Sequence, residues 1–239
     1  MTGEIPTEKV LELCETIYTK VLKSIEEDFM TIPEEKARWV MSAESNKESA
    51  ERYDAWAEQY DADLQSWGYR SPAIIAGIVG RYIPLDSSPI LDAGAGTGII
   101  GEVLNILGYK GIVALDLSKG MLDVAARKGV YSDLYQMALG KGMDFPTDYF
   151  AAVVCVGTFA SGHAPPDSLD ELIRITRPRG HIIFTVRSEV YERGGFKRKQ
   201  QELQLANEWQ LLEIVGPYIS IPGSDDPEGT NKVFAYRVT

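Results

Sequence analysis

A glycine-rich segment at residues 89–101 constrains the fold of this chain more than any other feature. It reads Pro-Ile-Leu-Asp-Ala-Gly-Ala-Gly-Thr-Gly-Ile-Ile-Gly, which predicts a short buried strand, a tight turn and the start of a helix. Glycine at Gly94, Gly96 and Gly98 permits a sharp turn and a close approach of the backbone to a ligand. The helix presents free N–H groups and the positive end of its dipole. The segment therefore predicts the ligand-binding turn of an α/β fold.

A second predicted strand carries a carboxylate at its end. The apolar run 111–115 is followed by Asp116, eighteen residues after Gly98. A carboxylate at the end of the second strand is placed to accept hydrogen bonds from both hydroxyls of a ribose. The turn and Asp116 together indicate a site for a cofactor that contains a nucleoside.

Two classes of cofactor fit the glycine spacing. Gly96, Gly98 and Gly101 follow the G-x-G-x-x-G pattern of dinucleotide sites. With Asp92 and Gly94 the segment reads D-x-G-x-G-x-G, which resembles motif I of the class I S-adenosylmethionine (SAM) methyltransferases. A carboxylate at Asp92 suits the ammonium group of SAM and would repel a pyrophosphate. We therefore favour SAM as the cofactor and keep an NAD(P)-dependent oxidoreductase as the alternative.

Composition limits the partners and the compartment. The net charge of −11 argues against nucleic acid as a binding partner, because phosphate binding needs basic patches. No apolar run approaches the roughly 18 residues of a membrane helix, and the start of the chain does not resemble a signal peptide. The two cysteines, Cys14 and Cys155, have no metal-type neighbours in sequence. We expect a cytoplasmic protein with reduced cysteines and neither a membrane segment nor a metal site.

The order of elements predicts an α/β fold with an N-terminal helical extension. Helical patterns cover 7–29 and 34–44, followed by helices from Ser49 and over 73–82. Strands and helices then alternate, which is typical of a Rossmann-like sheet with helices on both faces. We expect seven strands, at 89–93, 111–116, 132–137, 150–156, 180–187, 209–219 and 231–238. We expect four helices among them, near 98–108, 118–128, 167–176 and 198–204.

Two domain-level predictions follow. The loop between the final two strands is too short for a helical crossover, so these strands pair antiparallel and the last strand runs against the others. Residues 1–45 form the extension, which caps the acceptor pocket or forms a homodimer face, and residues 46–239 form the cofactor-binding domain.

Residues 49–187 resemble the class I SAM methyltransferases throughout. The segment Tyr53-Asp-Ala-Trp-Ala-Glu-Gln-Tyr-Asp61, followed by Tyr69-Arg-Ser-Pro72, is most similar to a subgroup, the methyltransferase-like protein of the Williams–Beuren region and its relatives. The resemblance implies that this helix lies over the cofactor, with Tyr53 and Tyr60 as an aromatic lid beside the sulfonium. Arg70 either binds the carboxylate of SAM or is a surface arginine.

The resemblance also implies roles for the remaining site residues. Asp92 lies near the SAM amino group, and Asp116 holds the ribose hydroxyls. Many relatives carry an acidic residue at the turn after the third strand, where this chain has Leu139-Gly-Lys-Gly142. The other implied contacts are Gly94, Gly96 and Gly98 with the methionine moiety and ribose, Leu117, Met121, Ala138 and Leu139 with the adenine, and Val156 at the end of the fourth strand.

The loop after the fourth strand contains the candidate catalytic residue. His163 could deprotonate a hydroxyl or amine acceptor during methyl transfer. Alternatively, the enzyme only aligns the acceptor with the sulfonium and excludes water. We expect methyl transfer to an oxygen or nitrogen atom of a small molecule, and the alternative is a non-catalytic SAM-binding regulatory protein. A basic insert at 188–208 either contacts an anionic acceptor or is a solvated helix face.

Overall fold

The computed structural model describes residues 33–140, 142–160, 162–222 and 229–239. The helix predicted over 7–29 and the residue Cys14 lie outside these ranges. Contacts divide the chain into two units, residues 1–40 and 41–239. The described part of the first unit is helical and belongs to α1, Pro33–Met41, close to the prediction of 34–44. The predicted domain boundary after residue 45 stays a prediction.

Two helices precede the sheet in the second unit. Helix α2 spans Asn46–Ser66. Ser45 caps its N-terminus, and the Ser45 side chain accepts a hydrogen bond from the Glu48 N–H. Such a cap satisfies one of the free N–H groups of the first helical turn. Helix α3 spans Ser71–Tyr82, with proline in its first turn, where a missing N–H costs nothing.

The sheet has seven strands in the order β3-β2-β1-β4-β5-β7-β6. Strands β1 to β5 are parallel, and β7 pairs antiparallel with both β5 and β6. The prediction of a Rossmann-like sheet whose last strand is antiparallel is therefore confirmed. The strands are β1 Ile90–Ala93, β2 Ile112–Asp116, β3 Asp133–Gln136, β4 Phe150–Phe159, β5 Thr176–Arg187, β6 Trp209–Ile219 and β7 Thr230–Val238. The remaining helices are α4 Ile99–Ile106, α5 Lys119–Arg127, α6 Ser168–Ile175, α7 Ser188–Arg193 and α8 Phe196–Leu205.

Apolar clusters cover the two faces of the sheet. One cluster includes Leu91, Val153 and Phe184, and the other includes Ile90, Val154 and Ile183, so successive residues of each strand contribute to opposite faces. All four residues of β1 are buried, as in other parallel strands that are covered on both sides. This packing fixes the carboxyl ends of β1, β2 and β4 relative to one another.

The largest differences from the sequence prediction lie in β4, β5 and the segment that follows β5. Strand β4 continues past residue 156 to Phe159, and its pairing with β5 shifts register between Cys155 and Phe159. Gly157 has φ +80°, which interrupts the regular strand geometry there. Strand β5 starts at 176 instead of 180, and helix α7 was not predicted. No helix in the described ranges is both long enough and apolar enough to cross a membrane.

Candidate cofactor and active site

A cavity of about 150 Å³ lies at the carboxyl ends of β1, β2 and β4. Ligands of open α/β sheets bind at this edge. The cavity is lined by one side of α2, by the first turn of α5, by the ends of β2 and β4, and by the segments that follow β1, β2, β3 and β4. Eleven of the predicted site residues line it: Tyr53, Tyr60, Gly94, Gly96, Asp116, Leu117, Met121, Ala138, Leu139, Val156 and His163.

Backbone N–H groups fix the carboxylate of Asp116 at the cavity wall. Its Oδ2 accepts a hydrogen bond from the Gly96 N–H at 2.8 Å, and its Oδ1 accepts one from the Ser118 N–H at 2.8 Å. Burial raises the pKa of Asp116, and these two hydrogen bonds oppose the shift. The end of β2 is therefore tied to the glycine-rich turn after β1.

The three glycines of the turn have different surroundings. Gly96 has φ +55°, and a Cβ added there would meet nothing within 4 Å. Gly94 has φ +76°, and an added Cβ would lie 2.1 Å from Thr158 Oγ1. At Gly98 an added Cβ would lie 2.9 Å from the ring of Tyr131. Gly96 thus presents bare backbone to open space, whereas Gly94 and Gly98 make room for other side chains.

Tyr131 is a residue of this region that the sequence analysis missed. Its hydroxyl donates a hydrogen bond to Asp92 Oδ2 at 2.7 Å, and a Cβ added at Gly101 would lie 2.2 Å from its oxygen. Asp92 is 1% exposed, and its Oδ1 has no hydrogen-bond partner among the described residues. Burial raises the pKa of Asp92 to about 7.

Two predicted cofactor contacts therefore lie outside the cavity lining. Asp92 and Gly98 are both behind the turn, one against Tyr131 Oη and the other against its ring. The third glycine of the G-x-G-x-x-G spacing, Gly101, also accommodates Tyr131. Packing against Tyr131 therefore accounts for the G-x-G-x-x-G spacing, which does not require a bound pyrophosphate.

The aromatic side chains of α2 lie together on the helix face next to the cavity. Tyr53 and Tyr60 line it, with ring centroids 6.4 Å apart, and the Trp56 ring lies 4.7 Å from that of Tyr60. Trp56 is buried, and its Nε1–H donates to Asp63 Oδ2 at 2.7 Å. A spacing of three and four residues places all three on one side of a helix, as predicted.

Two aspartates hold α2 against the cofactor-binding half of the sheet. Asp54 Oδ1 accepts hydrogen bonds from the Ser118 hydroxyl at 2.5 Å and the Gly120 N–H at 2.7 Å, at the start of α5. Asp61 accepts a hydrogen bond from the Thr97 hydroxyl in the glycine-rich turn and pairs with Lys128 at 2.6 Å. These contacts connect α2 to the segments after β1 and β2.

His163 reaches the same cavity from the loop after β4. Its Nε2 lies 2.9 Å from the hydroxyl oxygen of Tyr53, which is 110 residues earlier in the chain. Burial raises the pKa of Tyr53, so its hydroxyl stays protonated at neutral pH. The cavity therefore brings a phenol and an imidazole into direct contact.

Two predicted cationic contacts do not reach the cavity. Arg70 is exposed at the start of α3 and is absent from the described cavity lining. In the basic insert, Lys197 pairs with Glu192 at 2.8 Å and Lys199 with Asp170 at 2.6 Å. Acidic neighbours therefore already balance the charges of these two lysines. Among the described residues that line the cavity there is no lysine or arginine.

The comparisons with known proteins agree on one family, the methyltransferases. A model of a methyltransferase domain matches residues 91–184. The chain is 30% identical over 196 residues to methyltransferase-like protein 27 of Homo sapiens, covering 78% of this chain and 79% of that protein. It is 29% identical over 173 residues to a demethylmenaquinone methyltransferase of Symbiobacterium thermophilum, covering 67% and 64%.

A solved structure shares the fold at low identity. The crystal structure of magnesium protoporphyrin IX methyltransferase from Synechocystis PCC 6803, with bound SAM, superposes with a TM-score of 0.54 and 12% identity. The superposition covers 91% of this chain and 97% of that one. At this identity the likeness concerns the fold alone.

Proposed function

This chain belongs to the class I SAM-dependent methyltransferases, and from that premise we propose that it transfers a methyl group to an oxygen or nitrogen atom of a small molecule. Family membership makes the chain an enzyme and SAM its cofactor. The observation that carries the proposal is the cavity, which joins Asp116 and Gly96 to Tyr53 and His163. A cofactor site and a candidate base thus share one space.

The residues present fit SAM. Asp116 would hold the ribose hydroxyls, and the backbone at Gly96 leaves open space for the ligand. Tyr53 and Tyr60 line the cavity, and their rings are proposed to lie beside the sulfonium. Asp92 lies outside the lining and is proposed to act on the amino group of SAM through water. When bound, SAM supplies an electrophilic methyl group. Leu117 and Met121 are proposed to cover the adenine face, and a backbone N–H at Ala138 or Leu139 is proposed to contact the adenine. Val156, at the end of the fourth strand, completes the proposed set.

The charge of the cavity favours a small acceptor without negative charge. Asp116 is the one carboxylate among the described lining residues, and no cation accompanies it there. The net charge of −11 likewise disfavours a nucleic acid. One matched relative, the demethylmenaquinone methyltransferase, is named for an acceptor that is not a nucleic acid. His163 is the proposed base for that acceptor.

Three further parts of the proposal concern the subgroup and the extension. The segment from Tyr53 to Asp61 supports membership of the subgroup that contains the methyltransferase-like protein of the Williams–Beuren region. We keep the division into an extension, 1–45, and a cofactor-binding domain, 46–239. The extension is proposed to cap the acceptor pocket or to form a homodimer face.

Calorimetric titration tests the cofactor site directly. The full chain is titrated with SAM, S-adenosylhomocysteine and NADH, beside the variants Asp116→Ala and Asp123→Ala. We expect SAM and its product to bind the wild type and the Asp123→Ala control, because Asp123 lies on the exposed side of α5 and pairs with Lys119. Asp116→Ala should lose binding. Binding of NADH alone would contradict the assignment.

A labelled-methyl screen tests the acceptor class. SAM carrying a tritiated methyl group is incubated with the enzyme and either a small-molecule extract or total RNA. Label transferred to small molecules supports the proposal. Label that appears only in RNA overturns it.

A further inference from the structure

The hydrogen bond between Tyr53 and His163 restricts how a proton can leave the site. Tyr53 Oη lies 2.9 Å from His163 Nε2. In a neutral imidazole one ring nitrogen donates and the other accepts. Which of the two atoms donates depends on the tautomer of the ring; with the ring proton on Nδ1, the protonated Tyr53 hydroxyl donates to Nε2. That bond occupies the single lone pair of Nε2, so this nitrogen cannot take a proton directly from a second donor.

The Tyr53 oxygen, in contrast, can still accept a hydrogen bond. A hydroxyl has two acceptor lone pairs, and Tyr53 is one of the residues that line the cavity. We propose that Tyr53 receives the proton of the methyl acceptor and passes its own proton to Nε2 of His163, so that the two residues form a proton relay. The inference rests on the proposed function and deepens it, since it names the group that contacts the acceptor.

The relay balances protons and charge. The O–H or N–H bond of the acceptor breaks as its proton joins Tyr53 Oη, and the original Tyr53 proton joins His163 Nε2. Tyr53 is neutral before and after. The positive charge that leaves the cofactor with the methyl group ends on the imidazolium of His163. The Asp116 carboxylate is close enough to interact electrostatically with His163.

The relay also defines the chemical class of the acceptor. It needs a group that carries a removable proton, such as an alcohol, a phenol or an uncharged amine. A carboxylate anion has no proton to give. The absence of lysine and arginine from the described cavity lining agrees, because nothing there would balance an anionic acceptor. We therefore assign an uncharged hydroxyl or amine acceptor.

Nitrogen NMR tests the ground state of the relay without knowledge of the acceptor. The chain has two histidines, so a full-length sample with ¹⁵N-labelled histidine gives two rings, and His181→Asn assigns them. The spectrum is recorded at about pH 8.5, where an ordinary imidazole is neutral. We expect the His163 ring to carry its proton on Nδ1, with an unprotonated Nε2 that accepts a hydrogen bond. Tyr53→Phe should shift the Nε2 resonance, and a protonated Nε2 or an unchanged spectrum would overturn the relay.

Kinetics then separate a relay from a merely structural bond. With the acceptor found in the labelled-methyl screen, Tyr53→Phe and His163→Gln should each lower kcat by about 100-fold or more. The double variant should be no slower than the slower single variant, since both remove one pathway. His181→Asn is the control and should keep wild-type activity.

Binding measurements distinguish failure of the relay from failure of the proposed function. SAM affinity by calorimetry should change less than threefold in Tyr53→Phe. If that variant keeps more than half of kcat, or if the two losses multiply, the relay is wrong while the methyltransferase assignment stands. If the wild type transfers label to no small molecule, the proposed function fails, and the NMR result still decides the hydrogen-bonded state of His163.

Discussion

At the scale of single residues, the glycine-rich turn shows what a sequence pattern can and cannot reveal. The spacing of Gly94, Gly96 and Gly98 correctly predicted a tight turn after a buried strand, because few other residues adopt positive φ. It could not reveal that Thr158 and Tyr131 fill the space beside two of these glycines. Those partners come from distant segments that carry no motif of their own.

Gly101→Ala should destabilise the protein through Tyr131. The added Cβ would lie 2.2 Å from the hydroxyl oxygen and 2.3 Å from Cζ of that ring, so the ring must move away from Asp92. Overpacking of this kind costs about 1–3 kcal/mol, and the disturbed buried hydrogen bond adds to it. We expect the free energy of unfolding, measured in urea, to fall by about 2 kcal/mol or more.

A matched glycine provides the control for that substitution. At Gly80, on helix α3, an added Cβ meets nothing within 4 Å, so Gly80→Ala should raise stability by about 0.5–1 kcal/mol. Equal losses at both positions would show that the Tyr131 contact is not the cause. In the Tyr131→Ala background the clash is absent, so Gly101→Ala should cost less stability there than in the wild type. An equal cost in both backgrounds would show that the contact is irrelevant.

Asp92→Asn should make stability less dependent on pH. The native pKa of Asp92 is raised to about 7, whereas an unfolded aspartate titrates near 4, so between these values the native state binds the extra proton. Wild-type stability therefore falls as the pH rises from about 4 to about 7. The variant lacks this loss and should be more stable above pH 7, by at most about 4 kcal/mol.

Thermal or urea unfolding between pH 5 and pH 8 measures this difference. The advantage of the variant should shrink steadily as the pH falls below 7. SAM affinity should fall in the same variant, because Asp92 is proposed to act on the amino group of the cofactor through water. A stability difference that is constant across this pH range would contradict the buried, proton-binding carboxyl.

At the scale of elements, the sequence predicted which side of helix α2 carries the aromatic residues, but not which residues hold the helix in place. Helical periodicity placed Tyr53, Trp56 and Tyr60 on one side. It gave no hint that Asp54 binds the start of α5, or that Asp61 binds the glycine-rich turn and the end of α5, because each partner depends on how helices pack across the sheet. The end of β4 was missed for a related reason: its last residues pair after a shift in register.

Asp54→Ala should loosen α2 and weaken SAM binding. The substitution removes the acceptor of two hydrogen bonds at the start of α5 and leaves the Gly120 N–H without this partner. A lost helix-start acceptor costs about 1–2 kcal/mol. We expect faster amide hydrogen exchange across 46–66 and a SAM dissociation constant raised several-fold.

Glu58→Ala is the control on the same helix. Glu58 pairs with Arg127 of α5, but both side chains are more than half exposed, and such pairs contribute little. Exchange rates and SAM affinity should stay close to those of the wild type. If Glu58→Ala changes them as much as Asp54→Ala does, the attachment is a general charge effect.

At the scale of the whole molecule, topology was more predictable than the site it creates. The short loop before β7 required an antiparallel pair, and alternation of elements required a parallel sheet before it. The contact between Tyr53 and His163 joins positions 110 residues apart, and no local pattern encodes such a distance. The sequence therefore indicated the edge of the sheet where the site lies and most of its members, but not their partners.

Removal of residues 1–40 tests the proposed role of the extension. This cut follows the division of the chain into two units and keeps Ser45, which caps α2. We expect SAM affinity to change less than threefold and the KM for the acceptor to rise at least tenfold if the extension caps the pocket. If it instead forms a homodimer face, light scattering should show a smaller mass for the truncated chain.

The position of α2 in the chain has a consequence for how the enzyme is made. On the ribosome this helix emerges before every strand, whereas its partners on α5 and the His163 loop follow some 65 to 110 residues later. Until those segments are synthesised, the rings of Tyr53 and Tyr60 lack the cavity that they line in the folded protein. Nascent domains expose such apolar surface while they are incomplete, and this surface promotes misassembly. We expect stalled chains that end before β4 to depend on chaperones more than chains that include His163.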